Sequence, residues 1–107
     1  METRPSKYTF TPLAMQDIDD IMAYITIDLF SPQAAERLLD RIEEELESVC
    51  DFPFSRPVVA NAILQAKGYR IIVVENFNLF YKIEDDTIVV YRVLYGRRNY
   101  TELLGIH

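Results

Sequence analysis

Apolar residues in the first half of the chain recur at the spacing of two amphipathic helices. The first stripe comprises Ala14, Ile18, Ile21, Ile25 and Leu29. The second stripe comprises Ala35, Leu38, Leu39, Ile42, Leu46 and Val49. Thr11-Pro12 and Ser31-Pro32 precede them, and such pairs open helices because the hydroxyl caps the first turn and proline suits the first helical position. The short link between the stripes predicts an antiparallel helical hairpin.

Four further runs have the character of strands. The first is KYTFT at 7–11, in which Tyr8 and Phe10 fall on one face. The others are GYRIIVVE at 68–75, FNLFYKIE at 77–84 and TIVVYRVLY at 87–95. The short links Glu75-Asn76 and Asp85-Asp86 predict turns, which make the last three strands antiparallel neighbours. Residues 58–66 show no pattern that assigns them to an element.

The element order is therefore β-α-α-β-β-β, an α+β fold in which an antiparallel sheet packs against an N-terminal helical hairpin. We expect a single domain over residues 1–107. The helical stripes cover one sheet face, and the other face is the natural working surface. A two-residue turn at Asp85-Asp86 puts Arg92 on the face of Leu79 and Tyr81, whereas a three-residue turn groups Arg92 with Phe80 and Lys82.

Charge is distributed unevenly along this acidic chain. The net charge is −6, yet residues 1–55 hold 12 acids and 4 Lys/Arg, while residues 56–107 hold 5 acids and 7 Lys/Arg. The acidic half includes like charges four residues apart on the second helix, which form either a solvated face or a docking stripe for a basic partner segment. These residues are Glu36, Asp40, Glu43, Glu44, Glu47 and Asp51.

Nothing in the sequence predicts a membrane span, a secretion signal or a disulfide. No apolar run approaches the roughly 20 residues of a membrane helix, and the polar start METRPSKY lacks the apolar stretch of a signal peptide. The single cysteine, Cys50, ends a helical stripe, which favours a structural thiol. We therefore expect a cytoplasmic protein with no membrane association.

Motifs for metal or cofactor chemistry are missing from the sequence. The three glycines form no phosphate-binding loop, and no cysteine or histidine pair has metal-ligand spacing. Asp17, Asp19 and Asp20 cluster without metal spacing, and the only histidine is His107. We predict neither a cofactor nor a metal site.

Cations and tyrosines accumulate instead in the C-terminal half. Arginine forks match phosphates and tyrosines stack on bases, but the same residues are enriched at protein interfaces and also occur on ordinary solvated sheet edges. Arg92 is distinctive because its apolar neighbours imply a partner or a groove for its charge. The set comprises Lys67, Tyr69, Arg70, Lys82, Tyr91, Arg92, Tyr95, Arg97, Arg98 and Tyr100.

The element order and three quoted stretches resemble the RelE/ParE superfamily of bacterial toxins, from Tyr8 to about Leu104. The stretches are Gly68-Tyr69-Arg70, Phe80-Tyr81, and Arg92-Val93-Leu94 followed by Gly96-Arg97-Arg98. The resemblance implies the toxin half of a type II toxin–antitoxin pair, bound in a hetero-oligomer by a co-encoded antitoxin. RelE-like members cut ribosome-bound mRNA, whereas ParE-like members poison DNA gyrase by binding.

The resemblance also assigns roles to individual residues. Arg70 and Arg98 match basic positions of the cleaving branch and are the candidate catalytic residues. Lys67, Tyr69, Lys82, Arg92, Arg97 and Tyr100 are the candidate target-binding residues. Asn78 and Leu104 stand where the cleaving branch carries an arginine and a tyrosine, which favours a ParE-like or undefined target. A RelE-like endoribonuclease and a non-toxic binding module of the same fold are the alternatives.

Overall fold

The computed structural model describes residues 7–96, which form a four-stranded sheet with helices on it. Its elements follow the predicted order with one short helix added. They are β1 (Lys7–Phe10), α1 (Pro12–Ala23), α2 (Pro32–Asp51), α3 (Ala62–Ala66), β2 (Arg70–Val74), β3 (Phe77–Glu84) and β4 (Thr87–Tyr95). None of the helices within residues 7–96 is long and apolar enough to cross a bilayer.

Both predicted helix starts are confirmed. The Thr11 hydroxyl accepts a hydrogen bond from the Ala14 amide at 3.1 Å, and Ser31 caps α2 through the Ala34 amide at 3.4 Å. Thr11 also donates to the Tyr91 carbonyl oxygen at 3.0 Å, which fastens the start of α1 to β4. The first helical stripe does not stay α-helical to its end, because Tyr24–Asp28 forms a π-helical turn.

The sheet is mixed, with strand order β1-β4-β3-β2. β2, β3 and β4 form the predicted antiparallel meander, with two-residue turns at Glu75-Asn76 and Asp85-Asp86. β1 lies beside β4 and runs parallel to it, since the helical hairpin carries the chain across the sheet between them. The α+β fold class is confirmed, and the antiparallel description holds for the meander alone.

A β-bulge in β4 determines which residue of β3 lies opposite Arg92. The turn has two residues, which by parity alone would place Arg92 with Leu79 and Tyr81. Instead, the register passes from Tyr81 opposite Val90 to Phe80 opposite Arg92, so that Tyr91 is the extra residue. The bulge lets Val93 enter the core under the helices while Leu94 packs on the other face.

The main core lies between the helical hairpin and one face of the sheet. Buried residues of α1 and α2 meet buried residues of all three meander strands, among them Leu38, Leu46, Ile72 and Tyr81. Cys50 belongs to this core, where burial, followed by the nearby Asp51 and Glu47, raises the pKa of its thiol. The thiol is therefore protonated at neutral pH, which agrees with a structural role.

A second, smaller core covers part of the opposite sheet face. Leu64 of α3 and Val59 pack with Tyr69, Phe80 and Leu94. Asn61 caps α3 by accepting from the Ile63 and Leu64 amides at 2.9 and 3.1 Å. Residues 58–69 therefore cover part of the face that the sequence predicts as the working surface, since Phe80 and Leu94 need an apolar cover.

Candidate functional site

Two predicted target-binding residues, Tyr69 and Lys82, meet Tyr91 at the second sheet face in what we call the lysine–tyrosine cluster. The Lys82 Nζ lies 4.6 Å from the Tyr69 ring centroid and 5.1 Å from that of Tyr91. The two rings meet edge to face with centroids 5.5 Å apart. An ammonium held by two ring faces remains available to an anion or a carbonyl oxygen on its outer side.

Each member of the cluster comes from a different part of the chain. Tyr69 follows Gly68, whose φ of 87° turns the chain from α3 into β2. Lys82 lies on β3 two residues beyond Phe80, so the two side chains share a face. Tyr91 is the bulged residue of β4. The sequence shows these residues only as separate cations and aromatics, and the sheet register brings them together.

Glu84 adds a negative charge at the edge of the cluster. The Tyr91 hydroxyl donates a hydrogen bond to the Glu84 carboxylate, and this bond raises the pKa of Tyr91 to about 12, with smaller contributions from burial and from the charge on Glu84. Tyr91 is thus a neutral donor at every physiological pH. The cluster therefore offers one cation together with one hydrogen-bonded carboxylate.

We predict that Tyr91 titrates at about pH 12 and that Glu84→Gln lowers its pKa toward 10. The check is NMR of tyrosine labelled with ¹³C at Cζ. Because the folded pKa is raised, the Tyr91–Glu84 bond stabilises the fold fully below about pH 10 and ceases to do so as pH rises through 12. An unchanged Tyr91 titration in Glu84→Gln would contradict the assignment.

Arg92 is held in an ion pair that joins β4 to α1. Its Nε and Nη2 donate to the Asp17 carboxylate at 2.7 and 2.9 Å, and the Val93 amide donates to the same carboxylate at 2.9 Å. The side chains of Arg92 and Asp17 are only 16% and 13% exposed. The Asp17 hydrogen bond, opposed by burial, raises the pKa of Arg92. This geometry gives Arg92 a structural partner within the fold.

Arg70, a candidate catalytic residue, lies on the opposite sheet face from the lysine–tyrosine cluster. It pairs in register with Tyr81, which belongs to the core under the helices. Its Nη1 donates to the Arg56 carbonyl oxygen at 2.6 Å, and its guanidinium lies 5.0 Å from the Phe54 ring centroid. The structure does not bring Arg70 and Lys82 to one surface.

The remaining predicted site residues divide into two groups. Lys67 is exposed at the end of α3, just before Tyr69. Arg97, Arg98 and Tyr100 lie outside the described residues, as do Leu104 and His107. Within residues 7–96, no three histidine, cysteine or acidic side chains are grouped so as to hold a metal ion.

The sequence interpretation missed the role of Asp17, although a signal was present. Asp17 stands three residues after Ala14 and four before Ile21, so it interrupts the buried stripe of α1 with a charge. Arg92 likewise interrupts an apolar strand. Two opposite charges in two buried patterns predict a pair, since each alone would be costly to bury.

Comparison with known proteins places this fold in a family. Residues 8–100 match the model for the ParE toxin of the type II toxin–antitoxin system parDE. The chain belongs to the ParE toxin family. The match confirms the resemblance to the RelE/ParE superfamily and assigns the chain the toxin role in such a system.

A solved structure agrees with the fold of this ParE family member. A chain of the chromosomal ParDE toxin–antitoxin system from P. aeruginosa superposes with a TM-score of 0.69 at 17% sequence identity. The alignment covers 90% of this chain and 100% of the other. A search of curated proteins gives no significant match.

Proposed function

We propose that this ParE family member stops growth by binding its target, with DNA gyrase as the target, and not by cutting RNA. The family match supports the toxin role. DNA gyrase is the target of the ParE-like branch of the superfamily. The residues Asn78 and Leu104 favour that branch, because the cleaving branch carries an arginine and a tyrosine there. Lys67 is exposed, and Lys82 and Tyr91 lie half-buried over the buried Tyr69. Together they provide a polar, aromatic contact surface of the kind found at protein interfaces.

The observation that carries the proposal is the separation of Arg70 from the cluster. RNA cleavage by attack of a 2′-hydroxyl requires a base, a phosphate clamp and an acid around one phosphate. Arg70 packs against Phe54 and the Arg56 carbonyl on one sheet face, while Lys82 and both tyrosines lie on the other. Within residues 7–96, basic and acid–base side chains are thus divided between two surfaces.

The proposal includes a co-encoded antitoxin and a cytoplasmic hetero-oligomer. A family member of a toxin–antitoxin system needs a neutralising partner, and the solved relative is named for such a pair. The like-charged residues of α2 are exposed, which suits a basic segment of that partner. They are Glu36, Asp40, Glu43, Glu44, Glu47 and Asp51. A small open reading frame beside the gene should restore growth on co-expression, and its absence would count against this role.

The deciding experiment is pulse labelling of protein and DNA synthesis after tightly controlled expression in bacteria. The proposal expects DNA synthesis to stop first, with an SOS response and with gyrase–DNA cleavage complexes in vitro. An immediate stop in translation with continuing DNA synthesis would instead establish the RelE-like endoribonuclease. Normal growth with abundant folded protein would identify a non-toxic binding module.

We predict that Arg98→Ala and Lys82→Gln each abolish or strongly reduce toxicity while leaving the unfolding curve unchanged. Lys82 belongs to the proposed contact surface, and Arg98 is an arginine that the family resemblance assigns to the target. Losing a central interface contact typically costs about 2 kcal/mol or more. The measurement is colony formation on induction, with circular dichroism to check folding. Arg37→Ala, an exposed arginine of α2, is the matched control and should stay toxic. Full toxicity of Lys82→Gln would show that this surface does not meet the target.

A further inference from the structure

Lys82 carries a charge that the described part of the fold positions but does not neutralise. Its Nζ lies 4.6 and 5.1 Å from the ring centroids of Tyr69 and Tyr91. Among residues 7–96, no aspartate or glutamate forms an ion pair with it. A lysine ammonium has three N–H donors, and contact with two ring faces leaves it able to donate to an anion.

Glu84 is the acid best placed to pair with Lys82, because residues two apart on a strand share a face of the sheet. Its carboxylate instead accepts the hydrogen bond of the Tyr91 hydroxyl. This bond raises the pKa of Tyr91 to about 12, so Tyr91 remains its donor at neutral pH. Glu84 therefore orients the Tyr91 ring beside Lys82 and is itself already hydrogen-bonded.

The two rings also restrict the lysine side chain before any partner arrives. A lysine side chain carries about 2 kcal/mol of rotamer entropy, which a flexible surface lysine loses when it forms a contact. Tyr69 is only 4% exposed and packs in the second core, so the fold fixes the ring beneath the ammonium. A group that binds Lys82 meets a cation already held in position, and the entropic cost of that contact is lower.

The neighbouring charges favour a single protein carboxylate over a nucleic-acid backbone. Binding of a phosphate chain requires several cations along its length. Beside Lys82, however, Glu84 is followed by Asp85 and Asp86, and all three acids are exposed. A chain of phosphates laid across this surface would meet these acids, whereas one carboxylate can reach the ammonium from its outer side.

We propose that Lys82 is the receptor for one aspartate or glutamate side chain of the protein that this toxin binds. The inference rests on the proposed function, because it requires a protein target. Tyr69 and Tyr91 hold the ammonium, and Glu84 holds Tyr91. Glu84 has the same charge as the incoming carboxylate and also weakens its binding. Removing the charge of Lys82 and removing the charge of Glu84 must therefore have opposite effects.

The test measures the affinity of the purified full chain for purified DNA gyrase, and the inducer level at which expression stops growth. Lys82→Met keeps an apolar stem over the rings and should weaken binding about tenfold or more. Glu84→Gln can still accept from Tyr91 and should strengthen binding about two- to fivefold. The matched control is Lys7→Met, an exposed lysine of β1, which should change neither quantity. Circular dichroism verifies that each variant is folded.

Coupling with a carbodiimide gives a direct readout, since this reagent joins an amine to a carboxylate that is in contact with it. Mass spectrometry of the treated complex should find Lys82 joined to an aspartate or glutamate of gyrase. Coupling through other lysines alone, with Lys82 unmodified, would overturn the inference. Binding of a single-stranded oligonucleotide that Lys82→Met abolishes would identify a phosphate ligand and overturn it as well.

Failure of this inference is distinguishable from failure of the proposed function. If the wild-type chain and Lys82→Met bind gyrase equally well, the carboxylate receptor is wrong and the gyrase target stands. If the wild-type chain does not bind gyrase, the target is wrong and the growth measurements decide. Opposite effects of Lys82→Met and Glu84→Gln on toxicity then support the receptor, whereas effects in one direction, or none, overturn it.

Discussion

Replacing Asp17 by alanine is expected to lower the free energy of unfolding by about 3–5 kcal/mol, the usual cost of removing one partner of a buried ion pair. The Asp17 carboxylate accepts from Arg92 Nε, Arg92 Nη2 and the Val93 amide. Its loss deprives a largely buried guanidinium of its carboxylate. It also deprives the Val93 amide of its acceptor, on the edge of β4 where the described pairing with β1 ends at Phe10 opposite Val90.

Urea unfolding followed by circular dichroism measures this loss. Asp19→Ala is the matched control, since Asp19 is an exposed acid two residues along the same helix, and it should change stability by less than about 0.5 kcal/mol. The double change Asp17→Leu and Arg92→Met should recover much of the loss, because an apolar pair needs no charge compensation. Equal effects of Asp17→Ala and Asp19→Ala would show that the pair contributes nothing.

Leu64→Ala is expected to destabilise the chain by about 2–5 kcal/mol and to loosen residues 57–69 from the sheet. Leu64 is fully buried and is the residue by which the five-residue α3 enters the second core. So short a helix has little stability of its own. The contacts of Leu64 with Phe80 and Leu94 therefore decide whether the second sheet face is covered.

Hydrogen exchange distinguishes this local effect from general destabilisation. The Val59 and Ile71 amides donate to the Tyr69 and Pro57 carbonyl oxygens at 3.2 and 3.3 Å, and their protection should fall first. Ile63→Ala is the control, because Ile63 is adjacent in sequence but about half exposed. Wild-type protection of both amides in Leu64→Ala would show that the segment is held by something other than Leu64.

The order and type of the main elements could be predicted because each has a local signal. Thr11-Pro12 and Ser31-Pro32 mark helix starts, and the β3 and β4 runs end at their predicted residues. The parallel pairing of β1 with β4 could not be predicted in the same way, since it depends on how the helical hairpin crosses the sheet. The short α3 was missed because five residues are too few for a periodic pattern.

The candidate site was only partly predictable, for a geometrical reason. Residue type alone identified Lys82, Tyr69 and Arg70 as surface cations and aromatics, but the sheet register decides which of them share a face. The bulge at Tyr91 changes that register within one strand, so turn length did not determine the position of Arg92. The position of a bulge depends on the tertiary packing around it, and no residue type in TIVVYRVLY predicts a bulge.

The pairing of β1 with β4 has a consequence for how the newly made chain folds. Lys7 lies opposite Thr87, and the bond from Thr11 to Tyr91 spans 80 residues. Contacts of such long range form late, because the intervening loop must be closed before they stabilise anything. During synthesis, the contacts of β1 and of the start of α1 with β4 cannot form until β4 has emerged from the ribosome. A toxin with this topology therefore completes its sheet only after β4 has been made, near the end of translation.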